Sequence, residues 1–197
     1  MMTKMRRKAL HAGVCIMVIF AAQAGAQTSE PQARGSMEVA VTYNPMLANT
    51  VGGYGLSMQG ASVQVHGQFF RGWGVVADVS GMHASMLPHS MAGLDLITAD
   101  FGPQYTWLPV HHRLALFGQF LVGEAFGMNS IFPSAGGVSS SADGFALQVG
   151  GGMNLPLSNH IGVRAFEADW LRTALPNSTT NVQNNLRLGV GIFFRLR

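Results

Sequence analysis

The stretch Met37-Glu38-Val39-Ala40-Val41-Thr42-Tyr43 sets Met37, Val39, Val41 and Tyr43 on one face and Glu38, Ala40 and Thr42 on the other. Successive side chains of an extended chain point to opposite sides, so a period of two predicts a strand with one apolar face. The pattern recurs. Ala61 to Phe69 sets Ala61, Val63, Val65 and Phe69 against Ser62, Gln64, His66 and Gln68. Gly74 to Met82 sets Val75, Ala77 and Val79 against Asp78 and Ser80, and Ile97 to Tyr105 sets Ile97, Ala99, Phe101 and Tyr105 against Thr98, Asp100 and Gln104. Further runs over Leu114 to Phe126, Phe145 to Leu155, Ile161 to Thr173 and Leu186 to Leu196 bring the expected strands to eight.

The connections alternate in length. Short links at Phe70 to Trp73, Trp107 to His112 and Pro156 to His160 are interleaved with long ones at Pro45 to Gly60, His83 to Gly93, Gly127 to Ala142 and Ala174 to Asn185. Nothing after Ala26 approaches the roughly 20 apolar residues of a membrane-spanning helix. Even strand number, short turns on one rim and long loops on the other predict an all-β, eight-stranded antiparallel up-and-down transmembrane β-barrel over residues 37–197. Closure is required because an open edge in lipid would strand backbone hydrogen-bonding groups. Both barrel termini then fall on the periplasmic, short-turn side. A soluble lipocalin-like barrel is the chief rival, but it would be apolar inside. Faces carrying Gln64, His66, Gln68, Asp78, Asp100, Gln148, Gly150, Gly152 and Asn154 suit a narrow lumen instead.

The first 26 residues read as a secretory signal peptide: Lys4, Arg6, Arg7 and Lys8, an apolar run from Ala9 to Ala22, and Ala24-Gly25-Ala26 as a small-residue cleavage site. Cys15 falls within that apolar core. Residues 27–36 would be a short periplasmic segment. Without the leader the chain keeps eight Arg, no Lys and nine acids, a net charge of −1. A nucleic-acid partner therefore loses its electrostatic support. No cysteine remains for a disulfide or thiolate site, and neither metal nor cofactor is expected.

Near the C-terminus, Asn185-Leu186-Arg187-Leu188-Gly189-Val190-Gly191-Ile192-Phe193-Phe194 resembles the closing strand of the OmpA-like eight-stranded outer-membrane β-barrels, and Arg164-Ala165-Phe166-Glu167-Ala168-Asp169-Trp170 resembles their penultimate strand. The resemblance covers the barrel domain only. It implies a bacterial outer-membrane location and an insertion signal formed by Leu188, Val190, Ile192 and Phe194. The chain departs from the family by ending Leu196-Arg197 rather than in an aromatic residue. The implied partners are outer-membrane lipid, lipopolysaccharide, the barrel-insertion machinery and periplasmic chaperones, with any extracellular ligand unspecified. Trp73, Tyr105 and Trp107 would form a membrane girdle at the turn rim, and Tyr43 and Trp170 one at the loop rim.

Polar residues divide into four groups. Glu38 and Arg195 have inward parity at opposite chain ends and form an expected barrel-closure pair. Arg164 has the opposite parity to Glu167 and Asp169; a β-bulge between Arg164 and Glu167 would turn all three inward, and the alternative is that Asp169 sits high enough to reach headgroups or water. Folding about Arg71 to Trp73 places His66 opposite Asp78, with Asp100 diagonal to Asp78 and Gln119 near Asp100. Together with Arg164, Glu167, Asp169 and Arg187 these make a lumen polar cluster. It reads either as a proton-binding gate or as a hydrogen-bonded plug. Lastly, His83-Ala84-Ser85 with Asp95 resembles the His-x-Ser plus acid of outer-membrane lipid A deacylases, with Asp in place of Glu; three common residues in an ordinary loop are the plain reading. His111, His112 and His160 read as solvated turn residues. Gly150-Gly151-Gly152 is no phosphate loop, because no helix follows it. The expected function is a structural or surface-interaction role without catalysis; a narrow pore and a lipid A-modifying hydrolase are the alternatives.

Overall fold

The computed structural model describes residues 36–49, 55–87, 92–108 and 114–196. Residues 1–26, expected to be a signal peptide, residues 27–35, His111 and His112 lie outside the described residues. Eight strands follow one another: β1 (Met37–Asn49), β2 (Gly55–Phe70), β3 (Trp73–Ala84), β4 (Leu94–Trp107), β5 (Ala115–Ser134), β6 (Gly137–Pro156), β7 (Ile161–Thr173) and β8 (Gln183–Leu196). Each pairs antiparallel with the next, and β1 pairs with β8, from Met37 opposite Leu196 to Ala48 opposite Asn185. The result is a closed barrel.

Alternation sorts the side chains. On β1, Glu38, Ala40, Thr42, Asn44, Met46 and Ala48 point inward and are buried, whereas Val41, Tyr43 and Leu47 are exposed outward. Val63, Val75, Val79, Phe101, Phe120, Phe145, Val149, Val190 and Ile192 continue that outer band around the wall. A polar interior inside an apolar exterior inverts the lipocalin arrangement. An exposed apolar belt of this extent is a lipid-facing surface.

Several strands run further than their alternation indicates. β1 continues six residues past Tyr43, so Tyr43 lies within the outer band rather than at the loop rim. The Gly127 to Ala142 stretch is not a loop: β5 and β6 extend through it and meet in a two-residue turn at Ala135-Gly136. Gly and Ser side chains carry no apolar period there, but the two backbones satisfy each other. Gly127 is needed in that hairpin, since a Cβ on it would stand 2.4 Å from the Phe132 ring. At the other rim, Arg71 and Gly72 have φ of 42° and 91°, the double positive φ of a tight type I′ hairpin turn. The connection after β7 is pinned by Asn177, whose Oδ1 accepts the backbone N–H groups of Thr179, Thr180 and Asn181.

On β7 the bulge falls between Arg164 and Glu167. Arg164 faces Gly191 and Glu167 faces Gly189, so three steps on β7 match two on β8. Arg164, Glu167 and Asp169 are all buried.

Candidate functional site

Two zones fill the lumen. The zone towards the turn rim is polar and centred on Arg164 of β7. Its Nη1 donates to Gln64 Oε1 at 2.5 Å and to Glu167 Oε2 at 3.1 Å, and its Nε donates to Asn154 Oδ1 at 3.0 Å. The guanidinium lies 4.5 Å from the centre of the Phe117 ring. Glu167 Oε1 also accepts from Gln64 at 2.8 Å and from Gln119 at 3.0 Å. Gln119 then donates to Asp169 Oδ1 at 3.1 Å, which joins this group to the next. There, Arg187 Nη2 donates to Asp78 Oδ2 at 2.6 Å and to Asp169 Oδ2 at 3.0 Å.

Arg187, Asp78 and Asp169 are fully or almost fully buried. Charges taken out of water are retained only where partners and hydrogen bonds offset the lost hydration. Glycine makes the required room: a Cβ on Gly150 would stand 2.0 Å from Asp169 Oδ1, and one on Gly152 2.8 Å from the Phe117 ring.

Glu38 and Arg195 are cross-strand partners on β1 and β8, with Oε2 and Nη2 3.4 Å apart. Asn154 Nδ2 donates to Glu38 Oε1 at 2.9 Å, so the seam is tied to the lumen network.

Three expected neighbourhoods need correction. His66 faces Val76, not Asp78, which faces Gln64 instead, because the tight turn and a register shift between Gln68 and Phe70 move β2 by two residues. The imidazole lies outside the Arg network and packs over Gly74, where a Cβ would be 2.2 Å from its Nε2. Asp100 is the direct, not the diagonal, partner of Asp78. Gln119 faces Gln104 and reaches Glu167 and Asp169 rather than Asp100.

Towards the long-connection rim the interior turns apolar. Met46, Ala48, Leu56, Met58, Met82, Ala84, Leu96, Ala125, Phe132, Ala146, Leu171 and Leu175 pack into one cluster above the charged layer. Sequence reasoning missed it, together with the roles of Gln64, Phe117 and Asn154 in the network. Its signal is the inward parity of Thr42 and Asn44 continued to Met46 and Ala48, beyond where the alternation on β1 had been taken to end.

The outward face carries a different constellation at that rim. His83 on β3 and Asp95 on β4 are direct cross-strand partners, with Nδ1 and Oδ1 2.5 Å apart. Ser85 Oγ lies 3.3 Å from His83 Nε2. Asn129 Nδ2 donates to Asp95 Oδ2. These residues are exposed or half-buried.

No family description and no curated protein matches the sequence. Solved structures do match. Neisserial surface protein A aligns with a TM-score of 0.62 at 11% identity, over 81% of this chain and 98% of that one. The attachment invasion locus protein Ail of Yersinia pestis aligns with a TM-score of 0.57 at 16% identity, over 82% and 99%. Ail in complex with the heparin analogue sucrose octasulfate aligns at 0.56 and 18% identity, with the same coverage. The chain has the fold of the OmpA-like eight-stranded outer-membrane barrels.

In this outer-membrane barrel fold the remaining expected residues are placed as follows. Leu188, Val190, Ile192 and Phe194 point outward along β8. Trp73 and Tyr105 pair across β3 and β4 with ring centres 5.1 Å apart, Trp107 lies nearby at the same rim, and Trp170 is exposed on the outer face of β7.

Proposed function

We propose that this chain is a non-conducting outer-membrane barrel that presents its long-connection rim to the cell exterior as a surface-interaction protein, with the turn rim and both barrel termini in the periplasm. The observation that carries the non-conducting part is the Arg187 guanidinium held to Asp78 and Asp169 across the lumen. A path for water or ions would have to break these buried pairs, and the apolar cluster obstructs the same path in series. A narrow pore is the weaker reading for that reason.

The β5–β6 hairpin supports the surface role. It carries the exposed apolar side chains Ile131 and Val138 beside Ser139, Ser140 and Ser141. Ail has been solved with a heparin analogue, but described charges near this rim include Asp95, Asp143 and Arg172, a balance that does not favour a polyanion. An uncharged surface partner suits the hairpin better. The outer band would meet outer-membrane lipid and lipopolysaccharide. Leu188, Val190, Ile192 and Phe194 would serve the insertion machinery after delivery by periplasmic chaperones. An epitope tag inserted between Ala135 and Gly136 tests the orientation: antibody should bind intact cells. Binding only after the outer membrane is permeabilised, in a correctly folded barrel, overturns it.

A further inference from the structure

We infer that Ser85, His83 and Asp95, with Asn129 as a positioning residue, form a serine hydrolase triad whose substrate is the acyl ester of an amphiphile in the facing lipid leaflet. The inference rests on reading the outer surface as lipid-facing, and on no particular surface partner.

The roles follow from donors and acceptors. A carboxylate only accepts, so the 2.5 Å contact between His83 and Asp95 puts the ring proton on Nδ1. Nε2 is then an acceptor, and Ser85 Oγ stands 3.3 Å from it, a separation usual for a nucleophile and its base before substrate arrives. Asp95 is itself oriented. Asn129 adopts φ of 57° within the irregular segment between Met128 and Phe132, and this turns its amide onto the free carboxylate oxygen. Nucleophile, base, acid and orienting amide thus come from β3 and the segment after it, β4 and β5. Triads are recognised by this geometry, not by sequence position.

Location selects the substrate. His83 shares the outward face of β3 with Trp73, Val75 and Val79. Ten residues separate it from Trp73 at the turn rim, which at ~3.3 Å per residue and a strand tilt of about 40° is about 25 Å, the height of an apolar membrane band. The triad therefore sits where that band ends and headgroups begin, the depth of the ester linkages of membrane amphiphiles. Ile97, two residues from Asp95 on the same face, would lie against acyl chains.

The chemistry balances without any further reagent. Ser85 Oγ attacks the ester carbonyl as its proton passes to His83 Nε2. The tetrahedral intermediate collapses, the alkoxide leaves with that proton, and the acyl group stays on Ser85. Water then attacks the acyl-serine with His83 as base, releasing a fatty acid and restoring the serine. A polar girdle of headgroup contacts is the competing explanation, since Tyr43 donates to Gln59 and Gln59 is the partner of His83.

The test uses the full-length barrel in detergent micelles, so it is independent of orientation in the cell. A fluorophosphonate probe should label Ser85, located by peptide mass spectrometry, and His83→Ala and Asp95→Asn should each slow labelling about 100-fold or more. Fatty acid release is then measured in separate arms from phosphatidylcholine and from lipopolysaccharide, and release in one arm names the source. Failure of the wild-type protein to label at Ser85, or equal release by wild type and Ser85→Ala, overturns the triad. Labelling at Ser85 without release in either arm overturns the proposed substrate.

Discussion

Arg187 and Asp78 stand 109 residues apart in sequence and 2.6 Å apart in space, on strands β8 and β3 that are separated around the wall by β1 and β2. The contact crosses the lumen rather than following it, and Asp169, the cross-strand neighbour of Arg187, completes the buried group. The same arrangement recurs nearer the turn rim, where Arg164 on β7 reaches Gln64 on β2. Two layers of charge thus brace opposite walls, and the interior behaves as a packed core with polar side chains.

Asp78→Ala removes one of two carboxylates on a fully buried guanidinium. The remaining pair with Asp169 limits the loss to about 1 to 3 kcal/mol, read as a lowered urea midpoint in micelles. Conductance should stay near zero, because the Arg164 layer and the apolar cluster are untouched. A loss below a few tenths of a kcal/mol, within measurement error, would mean that Asp78 does not hold Arg187 in solution.

Deletion of Ala165 removes the extra residue of the β7 bulge. Arg164 and Glu167 would then stand two positions apart, so a regular strand turns Arg164, Glu167 and Asp169 inward together with no bulge. Deletion of Ala168 instead gives Asp169 the opposite parity to Glu167 and forces a carboxylate towards lipid. The Ala165 deletion should therefore fold into vesicles, whereas the Ala168 deletion should fold poorly. Poor folding of the Ala165 deletion together with normal folding of the Ala168 deletion would contradict the bulge.

At the β1–β8 seam, Arg195 is partly exposed, so its pair with Glu38 is worth about 1 kcal/mol or less. Glu38 also accepts from Asn154, so Glu38→Gln should cost more than Arg195→Gln. A double-mutant cycle on the two substitutions measures the coupling. Strict additivity would show that the seam closes without this pair.

Leu171→Ala opens a cavity in the apolar zone near the long-connection rim. Leu171 is fully buried there, and the expected loss is about 2 to 5 kcal/mol in unfolding free energy. Leu188→Ala, on the lipid-facing side, should cost clearly less. Equal costs would place Leu171 outside a packed interior.

Much of this was legible in the primary structure. Period-two alternation identified the wall, and the clash of parity between Arg164 and Asp169 pointed to a bulge as one of two resolutions. Register was harder. The two-residue shift that separates His66 from Asp78 arises from a tight turn at Arg71-Gly72 followed by an irregularity at Phe70, neither of which an apolar pattern encodes. The β5–β6 hairpin was hidden because Gly and Ser satisfy pairing through backbone alone. His83, Ser85 and Asp95 were visible as residue types, but their convergence depends on cross-strand register, and Asn129 enters only through its positive φ.

Planar-bilayer recording of the purified, folded barrel tests the closed lumen most directly. No steady conductance is expected at moderate voltage, for the wild-type protein and for Asp78→Ala alike. A stable open level in the wild-type protein that changes on substitution of Asp78 or Arg187 would contradict the closed lumen and make the charged layer a gate.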